Sequence, residues 1–358
     1  MRAASPRPGS ELDPAGDVAA RAGATPTARF PRVGATVWWL GVTSLLTDVS
    51  SEMVSAVLPL YLTAVLQFSA LQFGVVDGVY QGLAALLRVW GGVTADRRRC
   101  KPVAAAGYGM SAAGKLGLLL AGAASLPVML WLFVDRLGKG LRTPPRDALI
   151  ARSAPRGRIA EAFGVHRALD TAGALLGPLL AFALLARAPG AFDAIFAVSL
   201  AFAVAGVGAL LLLVSEPRAL ASSETAAASW RAALGLWRGR EFRTVLLAGG
   251  ALSLCSVSDA FLFLLVQRRA QLAPQMFPLL PVALSFGYLV CAIPAGRLAD
   301  AVGCRRVLVA GYALLLPVYA VFAWPDAGAA LLVAGLLLVG ASYAGTDGVL
   351  MALASRSL

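Results

Sequence analysis

The amino-acid sequence predicts an all-α polytopic membrane protein, and three observations support this fold class. Hydrophobic residues make up 59% of the 358 residues and the mean hydropathy is +0.76, whereas soluble domains are only about 45–50% apolar. Apolar segments of roughly twenty residues, long enough to cross a ~30 Å hydrocarbon core as helices, recur from residue 35 onward. Arg and Lys cluster in alternate gaps between these segments, which is the charge pattern of membrane topology.

The apolar segments predict ten transmembrane spans. In chain order they cover residues 35–66, 71–95, 103–122, 125–148, 161–186, 192–214, 244–267, 276–298, 307–324 and 328–353. Because the Arg-rich gaps follow every second span, we expect both termini to lie in the cytoplasm. The same distribution accounts for the net charge of +12 without nucleic acid, since no basic helix with interleaved aromatic residues is present.

The chain divides into four predicted regions. Residues 1–33, rich in Ala, Pro, Gly and Arg, form a disordered cytoplasmic tail. Residues 34–214 form a six-helix bundle, residues 215–243 a cytoplasmic linker, and residues 244–358 an incomplete bundle of four helices. The linker is partly amphipathic, and this pattern fits a helix on the membrane surface or a solvated connection about equally well.

Two loops repeat one pattern. GGVTADRRRCK (91–101) follows the second span and AGRLADAVGCRR (295–306) follows the eighth; each has Gly, Asp four residues later, a basic cluster and a cysteine. A repeat at so long a period indicates a duplicated bundle. Both loops resemble the signature GxLaDrxGrk of the major facilitator superfamily. The resemblance implies gating residues at Gly92, Asp96, Arg97, Lys101, Gly296, Asp300, Gly303 and Arg305.

The first loop departs from the signature. Thr94 replaces Leu, and Arg99 replaces the second Gly, the residue type that most readily adopts a positive φ at a tight turn. An Asp at a helix end can accept from a neighbouring helix N-terminus or pair with Arg, so such loops would hold one arrangement of the bundles and release another. Topological anchoring by the basic residues is the alternative interpretation.

Further patterns resemble the same superfamily, over residues 35–358. The fourth span carries Leu132-x-x-x-Arg136-x-x-Lys139-Gly140, with Lys where Gln is usual. TDVSSEM (47–53) and FGVHRALDTAGALLGP (163–178) resemble a little-characterised prokaryotic branch, which implies the bacterial cytoplasmic membrane. The fifth span keeps the glycine spacing of the superfamily's antiporter motif, and this resemblance implies export. Ordinary packing of small residues between helices is the alternative explanation of the glycines. The motif residues are Gly164, Gly173, Gly177 and Pro178.

Ionisable residues within the spans are the candidates for function. Each costs roughly 2.5–3.5 kcal/mol at a helix centre on insertion scales. The resemblance implies a central cavity lined by spans 1, 4, 7 and 10. The candidates for proton coupling or substrate contact are Asp48, Glu52, Asp135, Arg136, Lys139, Asp170, Asp259 and Asp347. Asp48 and Glu52, four residues apart on one helix face, are the first candidates for proton carriers.

The charges of the fourth span continue beyond its apolar part. Arg142 extends the stripe of Asp135 and Lys139 at i+7. The pair Pro144-Pro145 predicts an interruption of this helix near its cytoplasmic end. We therefore expect a solvated cytoplasmic rim that consists of Arg142, Arg146 and Asp147. Anchoring of the membrane topology is the favoured role of this rim, and contact with substrate is the alternative.

Three other polar groups have simpler expected roles. His166 could relay protons, and a structural role is more common for a lone His at a helix start. We expect Lys115 to pair or to extend towards the interface, and Asp77 to pair with Arg88.

The chain carries no GxSxG, HExxH or phosphate-loop motif, and it has one His and no CxxC pair. We therefore expect no enzymatic activity, no metal site and no cofactor.

We interpret the chain as a proton-coupled secondary transporter that exports a small organic solute or drug by alternating access. Its expected partners are a small-molecule substrate, a proton or other ion gradient and the lipid bilayer. Neither the substrate nor the oligomeric state follows from the sequence.

The tenth predicted span ends close to Leu358, whereas the superfamily has twelve helices. We therefore expect either an incomplete reading frame or a shortened protein. Two alternatives to transport follow: a non-transporting membrane sensor or assembly protein, and a truncated, inactive transporter. A membrane-embedded enzyme is a weaker third alternative, because no nucleophile and base are recognisable together.

Overall fold

The computed structural model describes residues 34–97, 100–154, 159–215, 240–254 and 256–356. Within these ranges the chain forms helices joined by short turns and contains no β-strand. The helices are α1 (Ala35–Leu60), α2 (Ala70–Arg97), α3 (Cys100–Ala121), α4 (Ser125–Ser153), α5 (Ile159–Arg187), α6 (Phe192–Leu213), α7 (Arg240–Leu254), α8 (Asp259–Arg269), α9 (Leu279–Val302), α10 (Cys304–Ala323) and α11 (Ala329–Arg356). A π-helical turn, Tyr61–Val65, continues α1.

Seven segments of the described chain are long and apolar enough to cross a membrane. They are Ala35–Val65, Cys100–Ala121, Ala162–Arg187, Phe192–Leu213, Pro274–Ala299, Cys304–Ala323 and Ala329–Thr346. Each coincides with a predicted span, so the prediction of an all-α integral membrane protein is confirmed. Helix α4 is less apolar because Asp135, Arg136 and Lys139 lie in its middle.

The seventh predicted span, residues 244–267, is wrong as a single helix. Helix α7 ends at Leu254 and α8 begins at Asp259, and the described residues between them are not helical. The break leaves carbonyls at the end of α7 and N–H groups at the start of α8 without partners inside a helix. Such non-helical backbone at membrane depth is tolerated where it lines a polar cavity.

The predicted interruption at Pro144-Pro145 is also wrong, because α4 continues as one helix to Ser153. Close packing against α3 holds the α4 backbone in the turns that lead into the prolines. A Cβ on Gly107 would lie 2.7 Å from the backbone nitrogen of Arg142, and one on Gly138 would lie 2.5 Å from the carbonyl oxygen of Gly107. Two glycines therefore let α3 and α4 approach to backbone contact, and this packing outweighs the local preference of proline.

Helix α1 is central to the first six helices, because it packs against both α5 and α6. Gly173 and Gly177 of α5 face it. A Cβ on Gly173 would lie 2.7 Å from the carbonyl oxygen of Leu45, and one on Gly177 would lie 2.8 Å from that of Val49. In the remaining helices, α11 packs against both α9 and α10. Two of the antiporter-type glycines, Gly173 and Gly177, thus have a packing role at the α1–α5 contact.

The two repeated loops occupy equivalent places in the fold. Cys100 begins α3 and Cys304 begins α10, so each repeat ends where the next helix starts. Gly303 has φ +98°, the conformation expected of the glycine that the first loop lacks. Lys101 Nζ donates to the carbonyl oxygens of Leu211 at 3.0 Å and Val214 at 2.6 Å, which stabilises the C-terminal end of α6.

Candidate functional site

A cavity of about 830 Å³ lies among the helices. Residues of α1, α2, α4 and α5 line one part of it, and residues 256–263 with α9 and α11 line the rest. Apolar side chains such as Phe73, Phe263 and Leu284 form much of its wall. The ionisable and hydroxyl-bearing lining residues are Glu52, Ser55, Asp77, Tyr80, Arg136, Ser256, Ser258, Asp259, Ser285 and Tyr343. Its size and mixed lining are typical of small-molecule sites.

A row of polar contacts joins α1 to α4 beside this cavity, and we call it the α1–α4 ladder. The polar residues recur on one face of each helix every three or four positions, so antiparallel helices bring them into register. Its contacts are Ser44 with Arg146 (3.3 Å), Asp48 with Arg142 (3.4 Å), Glu52 with Lys139 (3.1 Å) and Ser55 with Arg136 (3.0 Å).

The predicted cytoplasmic rim is wrong for two of its three residues. Arg142 is only 2% exposed and pairs with Asp48, and Arg146 is 8% exposed. Arg142 also lies 4.7 Å from the ring centre of Tyr108, which favours the cation further. Asp147 pairs with Arg146 at 3.0 Å and keeps a side chain that is 41% exposed. The ladder therefore extends two turns further along α4 than the sequence indicated.

A second buried contact links α3 to the same face of α4. Lys115 Nζ lies 2.5 Å from Asp135 Oδ1, and the two side chains are 1% and 4% exposed. Ser111 donates to the same carboxylate oxygen at 2.5 Å, and Lys115 reaches Ser51 Oγ at 3.5 Å. The expectation that Lys115 pairs is confirmed, and Asp135 belongs to this pair between helices.

His166 lies at the end of the ladder. Its Nε2 and Ser44 Oγ are 2.8 Å apart, and Arg146 contacts the same hydroxyl. Arg146 also lies 3.6 Å from Asp170 Oδ1. Asp170 is thus joined through Arg146 to the α1–α4 ladder.

Two carboxylates enter the cavity from helices outside the ladder. Asp77 of α2 accepts a 2.6 Å hydrogen bond from Ser258, in the break between α7 and α8. Asp259, the first residue of α8, accepts one from Tyr343 at 2.7 Å. The expectation that Asp77 pairs with Arg88 stays a prediction, because the Arg88 side chain lies outside the described set.

The structure divides the predicted site residues into groups. Glu52, Arg136 and Asp259 line the cavity. Four others lie in contacts between helices beside it: Asp48, Asp135, Lys139 and Asp170. Helix α11 includes Asp347, but the position of its side chain, like those of Gly92, Asp96, Arg97 and Asp300, lies outside what the structure describes. Arg305 is exposed, and Gly296 has open space around it.

Sequence reasoning missed part of the cavity. Asp77, Tyr80 and Gln81 recur on one face of α2 and all line the cavity, and this polar stripe on an apolar helix was a usable signal. Tyr343 of α11 and the serines of the α7–α8 break carried no comparable pattern. Spans 1, 4, 7 and 10 supply only part of the lining, because α2 and α9 contribute as well.

An all-helical membrane protein with a central cavity built from both parts of the chain has the architecture of a membrane transporter. The chain belongs to the Major Facilitator Superfamily, whose family model matches residues 40–358. It is therefore a transporter of that family, as the two repeated loops indicated.

Three comparisons illustrate the relationship. The chain is 30% identical over 282 residues to an uncharacterized MFS-type transporter of Methanocaldococcus jannaschii, covering 77% of this chain and 69% of that protein. Over 118 residues it is 36% identical to the multidrug resistance protein MdtH of Salmonella newport, covering 32% of this chain and 28% of that protein. The crystal structure of the nucleoside transporter NupG superposes with a TM-score of 0.68 at 16% identity, covering 88% and 80% of the two chains, and shows the fold.

Proposed function

We propose that this protein is a proton-coupled secondary transporter that exports a small organic solute or drug by alternating access. The observation that carries the proposal is the cavity, because its lining combines Glu52 and Arg136 of the first six helices with Asp259 and Tyr343 of the later ones. A site shared in this way changes its access when one group of helices moves against the other.

The α1–α4 ladder supports proton coupling. Glu52 lines the cavity and pairs with Lys139. Asp48 lies one helical turn before Glu52 on α1 and pairs with Arg142. A proton that binds either carboxylate removes its charge and weakens its pair, so protonation favours a different packing of α1 on α4. Glu52 is the entry carboxylate in this scheme, because it faces the cavity directly.

Two features support export. The segment similar to MdtH comes from a protein named for multidrug resistance. The glycines of the antiporter-type motif, Gly173 and Gly177, set the contact of α5 with α1, the helix that carries both proposed proton carriers. Movement of α5 would therefore act directly on the ladder.

The remaining parts of the proposal concern topology. We propose that the N-terminus lies in the cytoplasm, which the Arg-rich gaps support, and that the protein lies in the cytoplasmic membrane of a bacterial cell. Residues 34–214 and 244–358 are proposed as the two moving bundles, joined by residues 215–243. The repeated loops at 91–101 and 295–306 are proposed as gates at the cytoplasmic side.

The test is solute-driven proton movement in everted membrane vesicles. A pH gradient is formed by respiration, followed with acridine orange fluorescence, and challenged with a panel of organic solutes. We expect one or more solutes to dissipate the gradient only in vesicles that contain the protein. We also expect Asp48→Asn and Glu52→Gln each to abolish this response while the protein remains in the membrane.

Matched controls separate loss of function from loss of protein. Arg187→Gln changes an exposed charge and is expected to leave the response intact. Membrane content of each variant is measured by immunoblot. An unchanged response in Asp48→Asn would remove Asp48 from the mechanism, and solute transport that persists after the pH gradient is collapsed would contradict proton coupling.

A further inference from the structure

Arg136 differs from four other cations of α3 and α4 that lie in contacts beside the cavity. Each of the others has a carboxylate oxygen within 4 Å: the pairs are Lys115–Asp135, Lys139–Glu52, Arg142–Asp48 and Arg146–Asp147. For Arg136, the described part of the chain supplies no such carboxylate. It is also the member of this group whose side chain lines the cavity.

The groups in direct contact with Arg136 hold the guanidinium in place and are uncharged. Its Nη2 donates to Ser55 Oγ at 3.0 Å, and its Cζ lies 3.8 Å from the ring centre of Tyr80. The residue is only 8% exposed, and its buried Nε donates to no acceptor among the described residues. A rigidly held, desolvated guanidinium is suited to bind an anionic group of a ligand.

Asp77 is the complementary charge. It lines the same cavity and lies one helical turn from Tyr80 on α2, so the two side chains share a helix face. One carboxylate oxygen accepts from Ser258, and among the Lys and Arg side chains that the structure describes, none lies within 4 Å of either oxygen. Arg136 and Asp77 thus face one cavity without pairing with each other.

We infer that the cavity takes a zwitterionic substrate whose anionic group contacts Arg136 and whose cationic group contacts Asp77. The inference deepens the proposed function and rests on it. A ligand with a single charge would leave one of these two groups desolvated without a counter-ion, whereas a zwitterion satisfies both. The apolar side chains of Phe73, Phe263 and Leu284 would contact the uncharged part of the ligand, so the substrate is an amphiphilic zwitterion.

The test compares matched ligand trios with the purified full-length protein in detergent, using melting temperature as the readout. One trio is L-phenylalanine, 2-phenylethylamine and 3-phenylpropanoate. Another is the dipeptide Ala-Phe, its C-terminal amide and its N-acetyl form. Each trio offers a zwitterion, a cation and an anion of similar shape. We expect the zwitterion of one or both trios to raise the melting temperature by about 3 °C and to bind about tenfold or more tightly than its partners.

Two variants give signatures that misfolding would not produce. Arg136→Gln is expected to abolish the preference for the zwitterion over the amine, while Asp77→Asn abolishes its preference over the acid. Arg187→Gln and Asp326→Asn replace exposed charges and are expected to retain the full preference. The inference is overturned if no zwitterion shifts the melting temperature, if an amine or acid of the same trio binds equally well, or if either cavity variant keeps the original preference.

The proton-movement assay separates this inference from the proposed function. An amine that binds alone and dissipates the pH gradient only in vesicles that contain the protein would support export and overturn the zwitterion. A zwitterion that binds with the expected variant signatures and leaves the gradient unchanged would support the site and contradict proton-coupled export.

Discussion

Lys115 of α3 and Asp135 of α4 form an ion pair with 2.5 Å between nitrogen and oxygen, in which neither side chain is more than 4% exposed. Two charges removed from water this completely depend on each other, because the loss of one leaves the other buried without a counter-ion. Ser111 donates to the same carboxylate. The pair therefore holds α3 against α4 at the level of the cavity.

The first prediction concerns this pair. Asp135→Ala is expected to lower the free energy of unfolding by about 3–5 kcal/mol, because Lys115 stays buried without its partner. The measurement is unfolding by SDS titration in mixed micelles. The double variant Lys115→Met/Asp135→Leu serves as the control and is expected to recover most of this loss, since it removes both charges and keeps volume. Equal stability of Asp135→Ala and the unchanged protein would show that the pair is not needed.

A second prediction tests the burial of Arg142. Arg142→Gln is expected to cost about 3 kcal/mol, because Asp48 loses its ion-pair partner and the ring of Tyr108 loses its cation. Arg187→Gln, at an exposed arginine, is expected to change stability by less than about 0.5 kcal/mol. The same SDS titration compares the two. If Arg142 lay in a solvated rim, both variants would behave alike.

A third prediction separates two glycines of the antiporter-type motif. Gly177→Ala is expected to destabilise the protein by about 1–3 kcal/mol, because the new Cβ would lie 2.8 Å from the carbonyl oxygen of Val49 and 2.9 Å from the nitrogen of Met53. Gly164→Ala meets nothing within 4 Å and is expected to stabilise α5 by up to about 1 kcal/mol through helix propensity. Thermal unfolding in detergent measures both. Equal effects at the two positions would contradict the packing role.

A fourth prediction concerns the loop between α9 and α10. Gly303 has φ +98°, a conformation that a side chain with a Cβ rarely adopts, so Gly303→Ala is expected to cost about 1–3 kcal/mol. Gly296→Ala lies in a helix with open space around it and is expected to be neutral or slightly stabilising. Thermal unfolding of both variants is the measurement, and a neutral Gly303→Ala would show that the turn relaxes without cost.

Several features of the fold followed from local sequence patterns. Hydropathy indicated most of the helices within a few residues, because each apolar segment must span the bilayer whatever its neighbours are. The repeated loops marked equivalent helix starts at Cys100 and Cys304, and the signature glycine Gly303 marked a backbone with positive φ.

Local patterns misjudged α4 and the seventh span for one reason. Proline and hydropathy report the preference of a segment in isolation, whereas neighbouring helices decide its final conformation. Gly107 and Gly138 bring α3 and α4 into backbone contact just before the prolines, and α4 continues as a helix to Ser153. The break before Asp259 lies beside the polar cavity, where backbone groups without helical partners can be solvated. Hydropathy did not reveal this break, because the segment is as apolar as a continuous span.

By itself the sequence determined the membrane class, the family, the approximate helices and the residue types available for a polar site. Only the tertiary structure decided which charges meet. Arg142 pairs with Asp48, 94 positions away, and Asp77 binds Ser258, 181 positions away. The structure also places Arg136 and Asp77 on one cavity, each with no described side chain of opposite charge within ion-pair distance. The physical reason is that periodicity and hydropathy are local properties, whereas burial and charge pairing depend on side chains that distant helices bring together.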